Sequence, residues 1–169
     1  MSEKKLFYTS VTLLERPFIL AATERGLCYV DSSEESLTHL TGWVKRSMPT
    51  FNLIEDADFM EPYYQQLKSY LNGDLTNFDV PLAINGTKFQ LLVWEALREI
   101  PYGKTLNYSD IADKINQPQA VRAVANAIGA NPLLIFVPCH RVIGKDGTLT
   151  GFRSGINLKR QLLTIENAL

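Results

Sequence analysis

Only two cysteines and two histidines occur among the 169 residues, and one of each stand side by side at Cys139-His140, directly after Pro138. A thiol is nucleophilic as its thiolate, and a neighbouring imidazole is a common acceptor for the proton it must lose. The pair is either an incidental neighbourhood, the commoner case, or the means of attack by sulfur on an electrophilic centre. The apolar run LLIFV (133 to 137) suits a buried strand, which would deliver Cys139 at a strand end just beyond the core. Burial raises a cysteine pKa unless something nearby supports the anion. Adjacent side chains on an extended segment point to opposite faces, so direct contact between Cys139 and His140 is awkward and a bridging water or a turn fits better. His140 would then need a carboxylate to orient it.

The other members of the two residue types carry no chemistry. Cys28 falls inside a strand pattern and reads as a buried structural thiol, and His39 falls mid-helix among polar neighbours and reads as exposed. A closed zinc site needs about four ligands, and Cys28, His39, Cys139 and His140 offer only one close pair. No metal and no cofactor are expected. Both thiols are expected to be free, since no apolar run reaches the roughly 18 residues of a membrane span and the chain reads as cytoplasmic.

Asn85-Gly86 divides the sequence into two expected domains, 1 to 85 and 86 to 169. The first carries 7 Lys+Arg against 12 Asp+Glu, the second 10 against 6, so either both halves are simply solvated or, if the partner is a polyanion, it belongs with the second. In the first, LFYTSVT (6 to 12), PFILAAT (17 to 23) and LCYVD (27 to 31) predict an antiparallel meander broken at Arg16-Pro17 and Arg25-Gly26. Ser32 and Glu35 suggest a capping box ahead of a helix bearing Leu37, Leu40, Trp43 and Val44 on one face. A second helix is expected from about Phe59 to Leu71, stopping at Asn72-Gly73.

The second domain reads as mainly helical. Thr87 caps a helix running to Pro101-Tyr102-Gly103, a short extended TLNY follows, and Ser109 caps the helix DIADKIN. In the next helix, PQAVRAVANAIGAN, Pro118 sits in the first turn. Val121, Val124, Ala125 and Ile128 form its buried stripe, leaving Gln119, Arg122, Ala123 and Asn126 as the opposite face. Two helices and a brief turn fit a helix-turn-helix or a plain helical hairpin. Arginine on a slim face suits bases and phosphates.

The string PCHRVIG, together with NPLLIFV before it, the RAV of the slim helix, YSDIA, PYGKT and the closing LLTIEN, resembles the O6-alkylguanine-DNA alkyltransferases over residues 87 to 167. The resemblance implies an α/β N-terminal domain of ribonuclease H-like topology and a C-terminal domain with a winged-helix-like core. It also implies a reaction: irreversible transfer of an alkyl group, typically methyl, from O6 of guanine in DNA to Cys139, once per molecule. His140 would take the thiol proton through a water, Glu166 would hydrogen-bond His140, and Tyr108 would donate toward the departing guanine. Asn131 would tie the slim helix to the reactive segment, and Arg141 would be structural. Arg122 would fill the place of a nucleotide turned out of the duplex, with Gln119, Ala123, Asn126 and Tyr108 also at the DNA. The partner is double-stranded DNA containing O6-alkylguanine, met by a monomer without membrane association.

Three positions depart from the commonest pattern of that family: Phe152 lacks a hydroxyl found in many members, Ala125 slightly thickens the slim helix, and Arg153-Ser154, in a loop bordering the alkyl pocket, bears on the tolerated alkyl group. Among rivals, a lesion-flagging relative would lack the reactive cysteine, and a sequence-specific transcription factor would want a more richly charged helix face. A thiol hydrolase would need water to release its intermediate.

Overall fold

The computed structural model describes residues 3 to 169 and forms two compact units, through Asn85 and from Gly86. The first is a four-stranded sheet with helices. Strands β1 (Lys4–Leu13), β2 (Arg16–Thr23) and β3 (Gly26–Asp31) form the meander, helix α1 (Ser36–Ser47) leads to β4 (Phe51–Glu55), and α2 (Ala57–Leu71) follows. The strand order is β3-β2-β1-β4, with β4 parallel to β1 and the other pairs antiparallel.

Residues Phe18 to Ala22 of central β2 are wholly buried, which explains why FILAA is a continuous apolar run without alternation. Ile19 and Ala21 pack with Leu6, Leu40 and Val44 on the α1 side, while Phe7 on the other face of β1 stacks on Phe59 of α2 at 4.1 Å between ring centroids. Gly26 (φ +149) lets the segment Pro81–Ala83 close on the edge of β3, since a Cβ there would lie 2.6 Å from the Pro81 carbonyl oxygen.

Several local expectations give way. The β1–β2 turn is Leu14-Glu15, both with positive φ (53° and 56°), and Pro17 lies inside β2 opposite Thr12. The strands' twist selects this two-residue turn even without the usual Asn-Gly. Ser32 is no helix cap: its hydroxyl donates to the Pro17 carbonyl at 2.6 Å, and α1 begins at Ser36 with no side-chain cap. Leu37 is exposed, leaving Leu40 and Val44 as the buried face of α1. His39 is exposed, as expected, and its Nδ1 lies 2.9 Å from the buried Asp31 carboxylate.

In the second unit α3 (Lys88–Arg98) carries the Thr87–Gln90 capping box. It is followed by β5 (Leu106–Asn107), α4 (Tyr108–Lys114), α5 (Val121–Gly129), β6 (Val142–Ile143) and α6 (Ile156–Ile165). β5 and β6 pair in parallel, Leu106 opposite Val142. Helices α3, α4 and α5 pack on one another, and the Trp94 indole of α3 donates to the Ala127 carbonyl of α5 at 2.8 Å. The cap of α4 is Asn107, in a reciprocal box with Asp110, so Ser109 lies within the helix. Pro118 and Gln119 form a turn, and α5 starts only at Val121.

Candidate active site

The reactive segment departs from its expected shape. LLIFV is a buried tight turn, not a strand: Leu134 bridges Val137, the Val137 N–H donates to the Leu133 carbonyl at 3.0 Å, and Ile135 adopts φ 74°. A positive φ at a β-branched residue is a rare conformation that its surroundings must enforce. Here Asn131 supplies much of that enforcement. Its carboxamide accepts from the Leu133 N–H at 2.9 Å and donates to the Val137 carbonyl at 3.0 Å, stapling both ends of the turn.

The chain then enters a 3₁₀ turn, Cys139–Arg141. Every residue from Asn131 to Arg141 is buried. The turn, rather than a strand, gives adjacent side chains directions other than opposite, which removes the geometric objection to Cys139 and His140 acting as a pair. Burial pushes the Cys139 thiol up, opposed by a hydrogen bond with Asn131 and by the positive charges of Arg153 and Lys159.

His140 is wholly buried, and its Nε2 lies 2.7 Å from Glu166 Oε2. Glu166, at the C-terminus of α6, also takes Arg141 Nε on Oε1 at 2.8 Å and Nη2 on Oε2 at 3.0 Å, while Arg141 Nη1 donates to the Ile100 carbonyl at 2.7 Å. A carboxylate held this way only accepts, so Nε2 carries the imidazole hydrogen and Nδ1 presents the lone pair. Burial lowers the His140 pKa; Glu166 opposes this, and Arg141 and Lys159 reinforce it. The neutral base form is the favoured one.

The PYG segment after α3 completes the clamp. Gly103 N–H donates to Glu166 Oε1 at 3.2 Å, and Tyr102 Oη donates to the Ile165 carbonyl at 3.3 Å. Gly103 (φ +80) is needed for this approach, as a Cβ would come within 3.1 Å of the Glu166 carbonyl oxygen.

Cys139, His140, Asn131 and Glu166 therefore converge, together with Arg141. Tyr108, half-buried at the start of α4, reaches the loop between β6 and α6, its Oη 3.4 Å from the Thr150 carbonyl oxygen. Gln119, Arg122, Ala123 and Asn126 are all exposed, along α5 and the turn leading into it, and make none of these bonds. Lys159 escaped sequence reasoning. Its side chain is fully buried, donating to the Val142 carbonyl at 2.6 Å and the Thr150 carbonyl at 2.8 Å. The available signal was a lysine one residue from Leu158 and three and four from Leu162 and Leu163, inside the apolar stripe of α6.

Residues 88–168 match the family model described as 6-O-methylguanine DNA methyltransferase, DNA binding domain, and residues 12–84 match its ribonuclease-like domain. The inducible methylated-DNA–protein-cysteine methyltransferase of Bacillus subtilis is 50% identical over 161 residues, covering 95% of this chain and 90% of that protein. The chain belongs to the O6-methylguanine DNA methyltransferase family. A methylated-DNA–protein-cysteine methyltransferase of Methanosarcina acetivorans is 45% identical over 90% of this chain and 92% of its own. Among solved structures, Mycobacterium tuberculosis OGT in complex with DNA aligns with a TM-score of 0.83 at 40% identity, covering 96% of this chain and 93% of that one. The four-stranded first unit is thus the family's ribonuclease-like domain, and the helical second unit its DNA-binding domain.

Proposed function

We propose that this methyltransferase repairs DNA by direct reversal, moving a methyl or other alkyl group from O6 of guanine onto Cys139. The observation that carries the reading is the buried Cys139-His140 turn, with His140 Nε2 tied to Glu166, inside a domain shared with proteins named for methyl transfer to cysteine. His140 Nδ1 takes the thiol proton through a water, and the sulfur attacks the alkyl carbon. The S–C bond forms as the C–O6 bond breaks, and guanine recovers a proton as it leaves. Tyr108 donates toward that guanine. General acid and base contributions of this kind are typically worth about 10²- to 10⁴-fold each. A thioether has no ready leaving group, so each molecule acts once.

The target atom lies within a stacked duplex, and the nucleotide must be turned out to reach a buried thiol, costing a few kcal/mol. Helices α4 and α5 act as a helix-turn-helix whose exposed face, Gln119, Arg122, Ala123 and Asn126, lies against DNA, with Arg122 occupying the vacated place. The protein works as a cytoplasmic monomer on double-stranded DNA. Among the described residues no helix is long and apolar enough to cross a membrane.

Mass analysis after mixing with duplex DNA containing O6-methylguanine tests the reading. One methyl group should appear on the peptide holding Cys139, and Cys139→Ser should gain none. Repeated consumption of substrate by one protein molecule would overturn the single-use mechanism. Arg122→Ala should slow repair of duplex DNA at least tenfold more than reaction with free O6-benzylguanine, because only the duplex requires extrusion. Equal losses on both would exclude that role for Arg122.

A further inference from the structure

Among the largest fully buried side chains of the described residues, Lys159 alone carries a charge. Its ammonium is held by two neutral carbonyls, Val142 and Thr150, lies 6.0 Å from the centre of the Phe152 ring, and has no carboxylate within ion-pair distance among the described residues. Taking an ammonium out of water is strongly unfavourable, and two carbonyl acceptors offset only part of that. A fold that keeps such a charge in its interior needs an anion nearby to match it. The carboxylate of this region, Glu166, is already engaged by Arg141 and His140. Helix α6, which carries Lys159, packs on the 3₁₀ turn Cys139–Arg141, and the group of that turn able to become an anion is the Cys139 sulfur.

We propose that Lys159 is the buried countercharge of the Cys139 thiolate, held in place by the Val142 and Thr150 carbonyls. It is a positioning residue that acts on the sulfur through its field. The interaction is mutual: Lys159 favours the ionised thiol, and Cys139 favours the charged lysine against burial, which lowers its pKa to about 8 even so. Arg153 also favours the ionised sulfur, but the other charges of the region are less suited to a fixed buried role. Arg141 is neutralised by Glu166, and Arg153 is exposed, so its field is weakened by water. Lys159 also disfavours the imidazolium form of His140. A proton taken from the thiol is therefore not retained on the ring and passes on, ultimately to the guanine that needs one.

The inference rests on Cys139 being the acceptor sulfur, but its test does not require DNA. Iodoacetamide alkylates a thiolate with loss of iodide, and peptide mass separates Cys139 from Cys28. The rate of Cys139 modification against pH is to be measured for the full-length wild type, Lys159→Gln and Lys159→Arg. Glutamine can still donate to a carbonyl but has no charge. The midpoint should rise by one unit or more in Lys159→Gln, lowering the rate about tenfold per unit below the midpoint, and Lys159→Arg should recover part of it. A smaller shift, or none, in folded Lys159→Gln overturns the proposal.

Should that variant not fold, nuclear magnetic resonance titration of the Lys159 side chain gives the reciprocal measurement. Its midpoint should fall in Cys139→Ser relative to wild type, and equal midpoints overturn the proposal. If wild-type Cys139 titrates as expected yet gains no methyl from O6-methylguanine DNA, it is the functional reading that fails and not this one.

Discussion

Glu166 shows how one side chain can serve architecture and, in the proposed mechanism, chemistry as well. Its two oxygens receive Arg141 and His140, all three side chains being nearly or wholly buried. Removing the carboxylate leaves a guanidinium in the interior without its anion, a change that typically costs about 3–5 kcal/mol. Glu166→Ala should therefore lower the unfolding free energy by about that amount in a urea titration, besides abolishing transfer. His140 adds a pH dependence. Its folded pKa lies below the ordinary 6.5, so on acidification the unfolded chain binds the proton first. Stability should decline as pH falls from 6.5 toward the folded value, and His140→Gln should flatten that part of the profile. At this scale the sequence disclosed Cys139 and His140 through their adjacency, and Asn131, Glu166 and Tyr108 only through family resemblance. Lys159 was hidden because nothing in a linear pattern separates a lysine bent inward to two carbonyls from one that snorkels to solvent.

At the scale of elements, periodicity located most helices and strands, and their ends depended on partners that a sequence does not name. Asn107 and Ser109 are both good caps by type. Pairing of β5 with β6 keeps the chain extended through Asn107, which decides for the former. Asn107→Ala should cost about 1 kcal/mol of stability, whereas Ser109→Ala should change it by less than about 0.5 kcal/mol in the same unfolding assay. Strand β4 had no expectation attached to it, because five residues find their register only against β1, far away in the chain. The turn at 133 to 137 was mistaken for a strand for a related reason. Its apolar residues declare burial, while its shape is imposed by the Asn131 carboxamide.

Over the whole molecule, charge is distributed unevenly: the sequence has a net excess of acids before Gly86 and of bases after it. The basic half is the family's DNA-binding domain. Affinity for undamaged duplex should accordingly fall as salt rises, with a log–log slope of about −0.9 for each phosphate neutralised and little dependence on base sequence. Fluorescence anisotropy across a salt series measures it. The division at Asn85-Gly86 was readable because the two sides differ in pattern, strands and helices before it and mainly helices after it.

The unbroken burial from Asn131 to Arg141 has an outcome beyond reactivity. Protein interiors hold few gaps, and an added carbon in a filled one commonly costs about 1–3 kcal/mol. On the proposed mechanism, a molecule that has accepted its alkyl group on Cys139 carries that group within this buried segment. Its history is thus recorded as mechanical wear: a fired copy should melt earlier and yield to proteases sooner than a fresh one.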